Sequence, residues 1–410
     1  MADSPGSKRS AAGGDDPKGS SPENGSGGLS PNKRARTTPT PIPTITTAKE
    51  AVASSGVGNG CPRSPPSSCE KKKGGPLTLV TFNINGGVPR LTKNWPEIEE
   101  FLTDNMPDLC CFQEVRLPSK GLPKCKTDDD TGRKRGQQKD DTKKDRDDIA
   151  LVRKTLLNLA RRLGYRVVMS LANTKKAGSA ALIRDTCPSE NIFFSITPEG
   201  QLSKEHDREG RVIVIEYPSV TVLAFYVPNN GAKEESFRRR ERWDATIQRF
   251  ASTYTAKPII ILGDLNVAHR DADLTHPSYF KGMFPAASPQ NSGQPGCTPA
   301  ERQRHTRLLE SGGGLVDAYR HLHPATTAGA GAGAAGGVGT DAEGMTWRGT
   351  AGNQVAAMGR YYGKGMRIDY FLLSRALASR IKEVRVYGSG ADRDGFLGSD
   401  HCPLMLTLLP

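Results

Sequence analysis

Short apolar runs ending in Asn, Asp or Glu recur along this chain, and segments with apolar positions at helical spacing separate several of them. Leu77-Thr-Leu-Val-Thr-Phe-Asn83, closed by Asn85-Gly86-Gly87, predicts a strand running into a turn. Trp95 to Asn105 sets Ile98, Phe101 and Leu102 on one helical face, and Asp108 to Phe112 reads as a strand buried on both sides. Further on the pattern predicts a helix over Ile149 to Leu163 and strands near Tyr165 to Ser170, Ser179 to Arg184, Arg211 to Tyr217 and Val220 to Val227. A long basic amphipathic helix follows over Glu234 to Thr255, then the apolar strand Pro258 to Leu262, which delivers Gly263-Asp264-Leu265-Asn266 at its C-terminal end. Strands around Met366 to Leu373, Ile381 to Tyr387 and Pro403 to Leu408 close the series. Strands interleaved with helices, some joined by short turns, predict a mixed-sheet α/β sandwich with helices on its outer faces.

Three stretches fall outside this pattern. Residues 1–75 are rich in Ser, Gly, Pro, Thr and Lys and nearly free of aromatics, so they bury too little surface to offset ordering entropy and predict a disordered tail. The tail carries Pro31-Asn-Lys-Arg-Ala-Arg36, readable as a nuclear-import signal or as a solvated basic cluster. Residues 118–148 hold dense mixed charge and residues 325–344 are mostly Ala, Gly and Thr; both predict insertions in a catalytic domain spanning 76–410.

Charge narrows the class of partner. Lys and Arg outnumber Asp and Glu by 57 to 44, a net +13 that attracts polyanions. The tail explains only part of it, with 11 Lys/Arg against 6 Asp/Glu. The eight cysteines show no zinc-binding spacing and are expected to be reduced thiols. The chain opens Met-Ala-Asp-Ser-Pro without an apolar leader, and no run is long enough to span a bilayer, so an intracellular protein away from membranes is expected.

Candidate chemistry sits where strands end: Asn83 and Asn85, Gln113-Glu114, Tyr226 with Asn229, Asp264 with Asn266 and His269, and Asp400-His401, with Asp369 inside a strand. Each has a plainer reading. Asn83 and Asn85 also serve turns, Glu114 a solvated strand end, Asp264 a turn or helix cap, and Asp400-His401 a surface pair. Tyr226, Trp347 and Met366 alone read as packing. Asp369 needs a partner, an arginine or an imidazole, because an unpaired buried carboxylate costs several kcal/mol.

Taken together, the clusters resemble the exonuclease III-like class II apurinic/apyrimidinic endonucleases of the endonuclease/exonuclease/phosphatase superfamily. The resemblance rests on Thr-Phe-Asn83-Ile-Asn85-Gly, Cys-Phe-Gln-Glu114, Glu205 to Val214, Tyr226-Val-Pro-Asn229, Gly-Asp264-Leu-Asn266-Val-Ala-His269, Arg367-Ile-Asp369-Tyr-Phe-Leu-Leu-Ser374 and Leu-Gly-Ser-Asp400-His401-Cys-Pro403. It implies a four-layer α/β sandwich with one cleft at the sheet edges. It also implies a Mg²⁺ ion, with Mn²⁺ as the substitute, held chiefly by Glu114 with Asn83, Asn85 and Asp400, and with Asp264, Asn266 and His401 adjoining. Asp264, held by Asn266, would activate water; His401, oriented by Asp369, would meet the phosphate with Tyr226. Asn229, Trp347 and Met366 would contact substrate, the last two as walls of a pocket for a base-free deoxyribose turned out of the helix. The substrate implied is double-stranded DNA with abasic sites, in base-excision repair, for a nuclear monomer (an organelle being the other location) whose tail meets other repair proteins.

The chain departs from relatives at three places: Asn85 where many eukaryotic members have an acid, Ala232 where some place a basic wedge, and Val80 where some animal members have cysteine. Rival readings are another superfamily phosphoesterase, such as a phosphoinositide phosphatase or deadenylase, and a DNA-binding protein with a decayed site.

Overall fold

Strands buried on both faces are largely apolar, as in Leu-Cys-Cys-Phe over 109–112 and Ile-Ile-Ile-Leu over 259–262. The computed structural model describes residues 74–117, 142–171, 177–196, 209–324, 343–349 and 359–410. Residues 1–73 of the predicted tail, with its basic cluster, most of the 118–148 and 325–344 stretches, and residues 205–208 lie outside the described residues.

One six-stranded sheet contains β1 (Thr78–Asn83), β2 (Leu109–Gln113), β3 (Tyr165–Ser170), β4 (Ser179–Arg184), β11 (Ile381–Val386) and β12 (Leu404–Leu408), in the order β11-β12-β1-β2-β4-β3. The other contains β5 (Asn191–Phe193), β6 (Val212–Glu216), β7 (Thr221–Tyr226), β8 (Ile259–Asp264), β9 (Leu315–Asp317) and β10 (Asp369–Ser374), in the order β5-β6-β7-β8-β10-β9. Each sheet has one central parallel pair, β1 with β2 and β7 with β8, flanked by antiparallel neighbours. Leu79, Cys111 and Leu406 of the first sheet belong to one core with Val222, Ile260, Leu262 and Phe371 of the second.

Helices cover both outer faces. Ile98, Phe101 and Leu102 of α2 (Trp95–Asn105), which follows the short α1 (Gly87–Lys93), share a core with Val80, Phe82 and Phe112. The next helical run begins at Lys143, six residues before the expected Ile149, because Thr142 and Asp145 form a capping box there. Thus the end of the charged stretch is helix: α3 (Lys143–Val152), a π-helical turn (Arg153–Leu157) and α4 (Asn158–Arg162). On the opposite face, Trp243, Ile247 and Ala251 of α5 (Glu234–Thr253) pack with Phe225, Ile261 and Leu372. The remaining helices are α6 (Pro277–Lys281), α7 (Pro299–Leu309) and α8 (Ala318–Leu322). The sandwich therefore has four layers, helix, sheet, sheet and helix, as expected.

The strand expected from Met366 begins only at Asp369, because residue 366 makes isolated bridges to Leu274 and Trp347 instead of joining the ladder. At the end of β8, Gly263 has φ +135°, and an added Cβ would lie 1.9 Å from the Phe225 carbonyl oxygen. Only glycine lets the two backbones approach there, and this sets the exit of Asp264.

Candidate active site

Topology brings the strand-end residues to one edge. The parallel pairs finish there, at Asn83 and Gln113 in one sheet and at Tyr226 and Asp264 in the other. Antiparallel neighbours begin where these finish, so Asp369 at the start of β10 sits opposite Asp264, and Tyr226 is level with Asp264 on the other side. His401 lies just ahead of β12, the antiparallel neighbour of β1.

Asp264 is the centre of this edge and is almost wholly buried. Its Oδ2 accepts from Asn83 Nδ2 at 2.9 Å, across the two sheets, and from Asn266 Nδ2 at 3.3 Å; its Oδ1 accepts from the Asn266 backbone N–H at 2.8 Å. Asp369 Oδ2 is 2.8 Å from His401 Nδ1, so the partner this buried acid requires is the imidazole. On the far side of the ring, His401 Nε2 lies 3.8 Å from Asp264 Oδ2, too far for a direct hydrogen bond. Burial, opposed by His401 and reinforced by Asp369, lifts Asp264 to about 7. Burial disfavours the imidazolium, but Asp369 and Asp264 outweigh it and raise His401 to about 10. A carboxylate that titrates near neutrality therefore faces an imidazole that stays protonated.

Glu114 occupies the other side of the cluster, less enclosed, with φ +54°. Its Oε1 accepts from Tyr226 OH and, at 3.3 Å, from Asn83 Nδ2; its Oε2 pairs with the half-exposed Arg116. Burial and then the Glu114 charge push Tyr226 well above the usual phenol range, so its hydroxyl remains a donor. As folded, Asn83 and Asn266 present N–H groups to the carboxylates. The Asn83 oxygen instead accepts from Asn85 N–H at 3.0 Å, and the Asn266 oxygen from Asn229 Nδ2 at 3.2 Å. Asn85 adopts φ +44° in the turn. Asp400 accepts from Trp347 Nε1 at 3.1 Å, and its buried Oδ1 has no partner. Trp347 forms backbone bridges with both Met366 and His401, which ties the expected pocket walls to the imidazole.

These contacts join Asn83, Glu114, Tyr226, Asn229, Asp264 and Asn266 in one hydrogen-bonded cluster, with His401 and Asp369 alongside. Among the described residues, Asn85 enters it only through its backbone, Asp400 and Met366 through Trp347, and His269 points elsewhere, to Thr306 at 2.8 Å.

Sequence reading passed over several supports. Arg240, buried in α5, donates to the carbonyls of Pro228, Leu265 and Asn266 at 3.0, 2.8 and 3.1 Å, so one guanidinium holds both loops that carry Asn229 and Asn266. Its sequence signal was a charge on the helix's apolar stripe, between Phe237 and Trp243. Thr346 Oγ1 accepts from the backbone N–H of Ile368 and Asp369, each at 3.1 Å. The Arg211 guanidinium lies 4.4 Å from the Tyr226 ring centre, and Tyr361 meets Trp347 edge to face at 5.1 Å.

Acids, amides and one charged imidazole thus meet at paired sheet edges, an arrangement suited to hydrolysing phosphate esters. Residues 80–401 match the Endonuclease/Exonuclease/phosphatase family, and the chain belongs to it. It is 36% identical over 350 residues to a DNA-(apurinic or apyrimidinic site) endonuclease of Arabidopsis thaliana, covering 83% of this chain and 86% of that protein. An exodeoxyribonuclease of Bacillus subtilis is 34% identical over 247 residues, 60% of this chain and 79% of its own. Among solved structures, a 3′ phosphatase from Neisseria bound to product DNA hairpin superposes with TM-score 0.55 at 23% identity, over 82% of this chain and all (100%) of its own, a likeness of fold.

Proposed function

We propose that this protein hydrolyses the phosphodiester 5′ to an abasic site in double-stranded DNA, leaving a 3′-hydroxyl and a 5′-deoxyribose phosphate, and that it works in base-excision repair. The observation that carries the reading is the line Asp369, His401, Asp264, with a held cation at one end of a 3.8 Å gap and a base that titrates near 7 at the other. A phosphodiester is an anion that repels nucleophiles, so its hydrolysis needs positive charge on the phosphate and a base for water. The Arabidopsis relative's name supports the substrate, and the Bacillus relative's supports accessory 3′ to 5′ exonuclease or 3′-phosphodiesterase action.

Each residue has one task. Asp264, oriented through both oxygens by Asn266, accepts the proton of the attacking water. His401, turned by Asp369, offers its Nε2–H to a non-bridging phosphate oxygen. Tyr226, kept protonated, offers its hydroxyl to the same group. Trp347 and Met366 wall the space for a sugar without its base, where an intact nucleotide is too large.

The residues fit a divalent cation: Glu114 and Asp400 are hard oxygen donors, and the buried Asp400 Oδ1 lacks a partner. Glu114 and Asp400, with Asn85, would hold Mg²⁺ or Mn²⁺, which would supply positive charge for the phosphate and the departing oxygen. Asp264, Asp369 and His401 also offer ligand atoms within 4.8 Å of one another. A protonated imidazole already supplies the cation in that group, so we assign it to proton handling and the metal to Glu114.

A labelled abasic duplex incubated with Mg²⁺, with and without chelator, tests the reading. Metal-dependent incision 5′ to the lesion with a 3′-hydroxyl end is expected. Release of phosphate from soluble phosphoinositides without incision of the duplex would overturn it.

A further inference from the structure

Outside the cluster, the described surface holds exposed aromatic rings near α6 that the reaction above does not use. Beneath them, the buried rings of Tyr361 and Phe280, stacked at 6.3 Å, pack between Trp347 and the segment around α6. There Phe284 is 36% exposed and Tyr362 40% exposed, two of the four large apolar side chains so exposed among the described residues. Phe284 also has φ +47°, an unfavourable conformation for a bulky side chain.

Cations are interleaved with these rings. The Arg360 guanidinium lies 4.7 Å from the Phe284 ring centre, and Lys364 Nζ 4.5 Å from that of Tyr279. Tyr279 OH donates to the Arg360 carbonyl at 2.7 Å, which clasps the two segments together. Among the described residues neither Arg360 nor Lys364 has a carboxylate partner, so their charge is available to an anion. Flat rings alternating with cations that have no carboxylate partner suit a nucleobase and its phosphate: the base stacks on the ring or guanidinium plane, and the phosphate meets the ammonium. A duplex keeps its bases stacked on one another, so only an unpaired base can use such a surface.

We propose that Phe284, Tyr362, Arg360 and Lys364 form a stacking platform for an unpaired nucleobase flanking the lesion, which lets the enzyme favour abasic sites in frayed, gapped or mismatched DNA over those in fully paired duplex. The proposal rests on the DNA reading above and adds a second, non-catalytic contact to it. The occupant is nucleic acid because the exposed rings rest on the aromatic core that packs against Trp347, and the charges among them, which have no carboxylate partner among the described residues, are positive.

The test uses the full chain in EDTA and two duplex probes that contain a tetrahydrofuran abasic analogue. A 2-aminopurine beside the analogue is paired in one and unpaired in the other. Wild-type protein is expected to quench the unpaired fluorophore and bind that probe more tightly. A Phe284→Ala/Tyr362→Ala variant is expected to lose the quenching and about tenfold or more of that affinity, while binding of the paired probe is unchanged. Arg360→Gln, read on the same probes, is expected to weaken the unpaired one alone, and Phe284→Trp to retain the quenching. Absence of quenching in the wild type, or equal behaviour of both probes in the variants, would overturn the platform. Cleavage of the paired probe with Mg²⁺ is read separately: its absence in the wild type sinks the proposed reaction, whereas the binding comparison still decides the platform.

Discussion

The two sheets share a plan, six strands around one parallel pair, yet the acids they send to the common edge are treated differently. The second sheet contributes Asp264 and Asp369, whose side chains are 2% and 1% exposed and face a single imidazole. The first contributes Glu114, 13% exposed and paired with an arginine at the surface, and the turn before β12 contributes Asp400, with one oxygen unpartnered. Burial against a cation turns the first pair into proton-handling groups, whereas partial exposure leaves the others as ligands for a hydrated ion. Environment, acting on the same carboxylate group, assigns the task.

The sharpest way to break this comparison is to neutralise the base. Asp264→Asn is expected to lower kcat for abasic-duplex cleavage on the order of 10²–10⁴-fold at unchanged metal dependence. A loss that added Mg²⁺ restores would put Asp264 among the metal ligands and erase the distinction. Glu114→Gln should do the converse, raising the Mg²⁺ concentration for half-maximal rate, on the order of 10–100-fold as for other changes around a metal site. A metal titration that matches the wild type would contradict it.

Such contrasts were only partly legible in the sequence. Apolar runs located the central strands, and the polar residues closing them located the site, because a strand end and a change from apolar to polar coincide. What escaped were groups whose partners are remote in the chain. Arg240 looked like one more cation on a basic helix, and only the fold brings it to the carbonyls of Pro228, Leu265 and Asn266. The three-residue strands β5 and β9 are too short for alternation to show. Helix α7 was also passed over, although Thr298-Pro-Ala-Glu301 is a capping box with proline at the first helical position.

Arg240 sharpens the comparison on the side of the second sheet. Arg240→Met removes the clasp on both loops and leaves the buried Glu301 without its cation, while Asp244 keeps Arg304. A stability loss of about 3–5 kcal/mol is expected in denaturant unfolding. Arg240→Lys should recover part of the stability but less of kcat, since one ammonium cannot reach three carbonyls in that fork. Equal recovery of both would make the residue merely structural. The smallest effect is expected at the surface of the first sheet, where Arg116→Ala should change stability by less than about 1 kcal/mol. It should also modestly tighten metal binding, because it removes a cation that competes for Glu114; weaker binding in calorimetry would show that Arg116 helps to hold the site.

The pH dependence of single-turnover abasic-duplex cleavage at saturating Mg²⁺ tests the pairing of a neutral-range base with a permanent imidazolium most directly. Asp264 must lose its proton and His401 must keep one, so the rate should rise through about pH 7, hold, and fall through about pH 10. In Asp264→Asn the lower limb should vanish. A rate that instead falls on a limb near 6.5, where an unperturbed histidine loses its proton, would contradict the account.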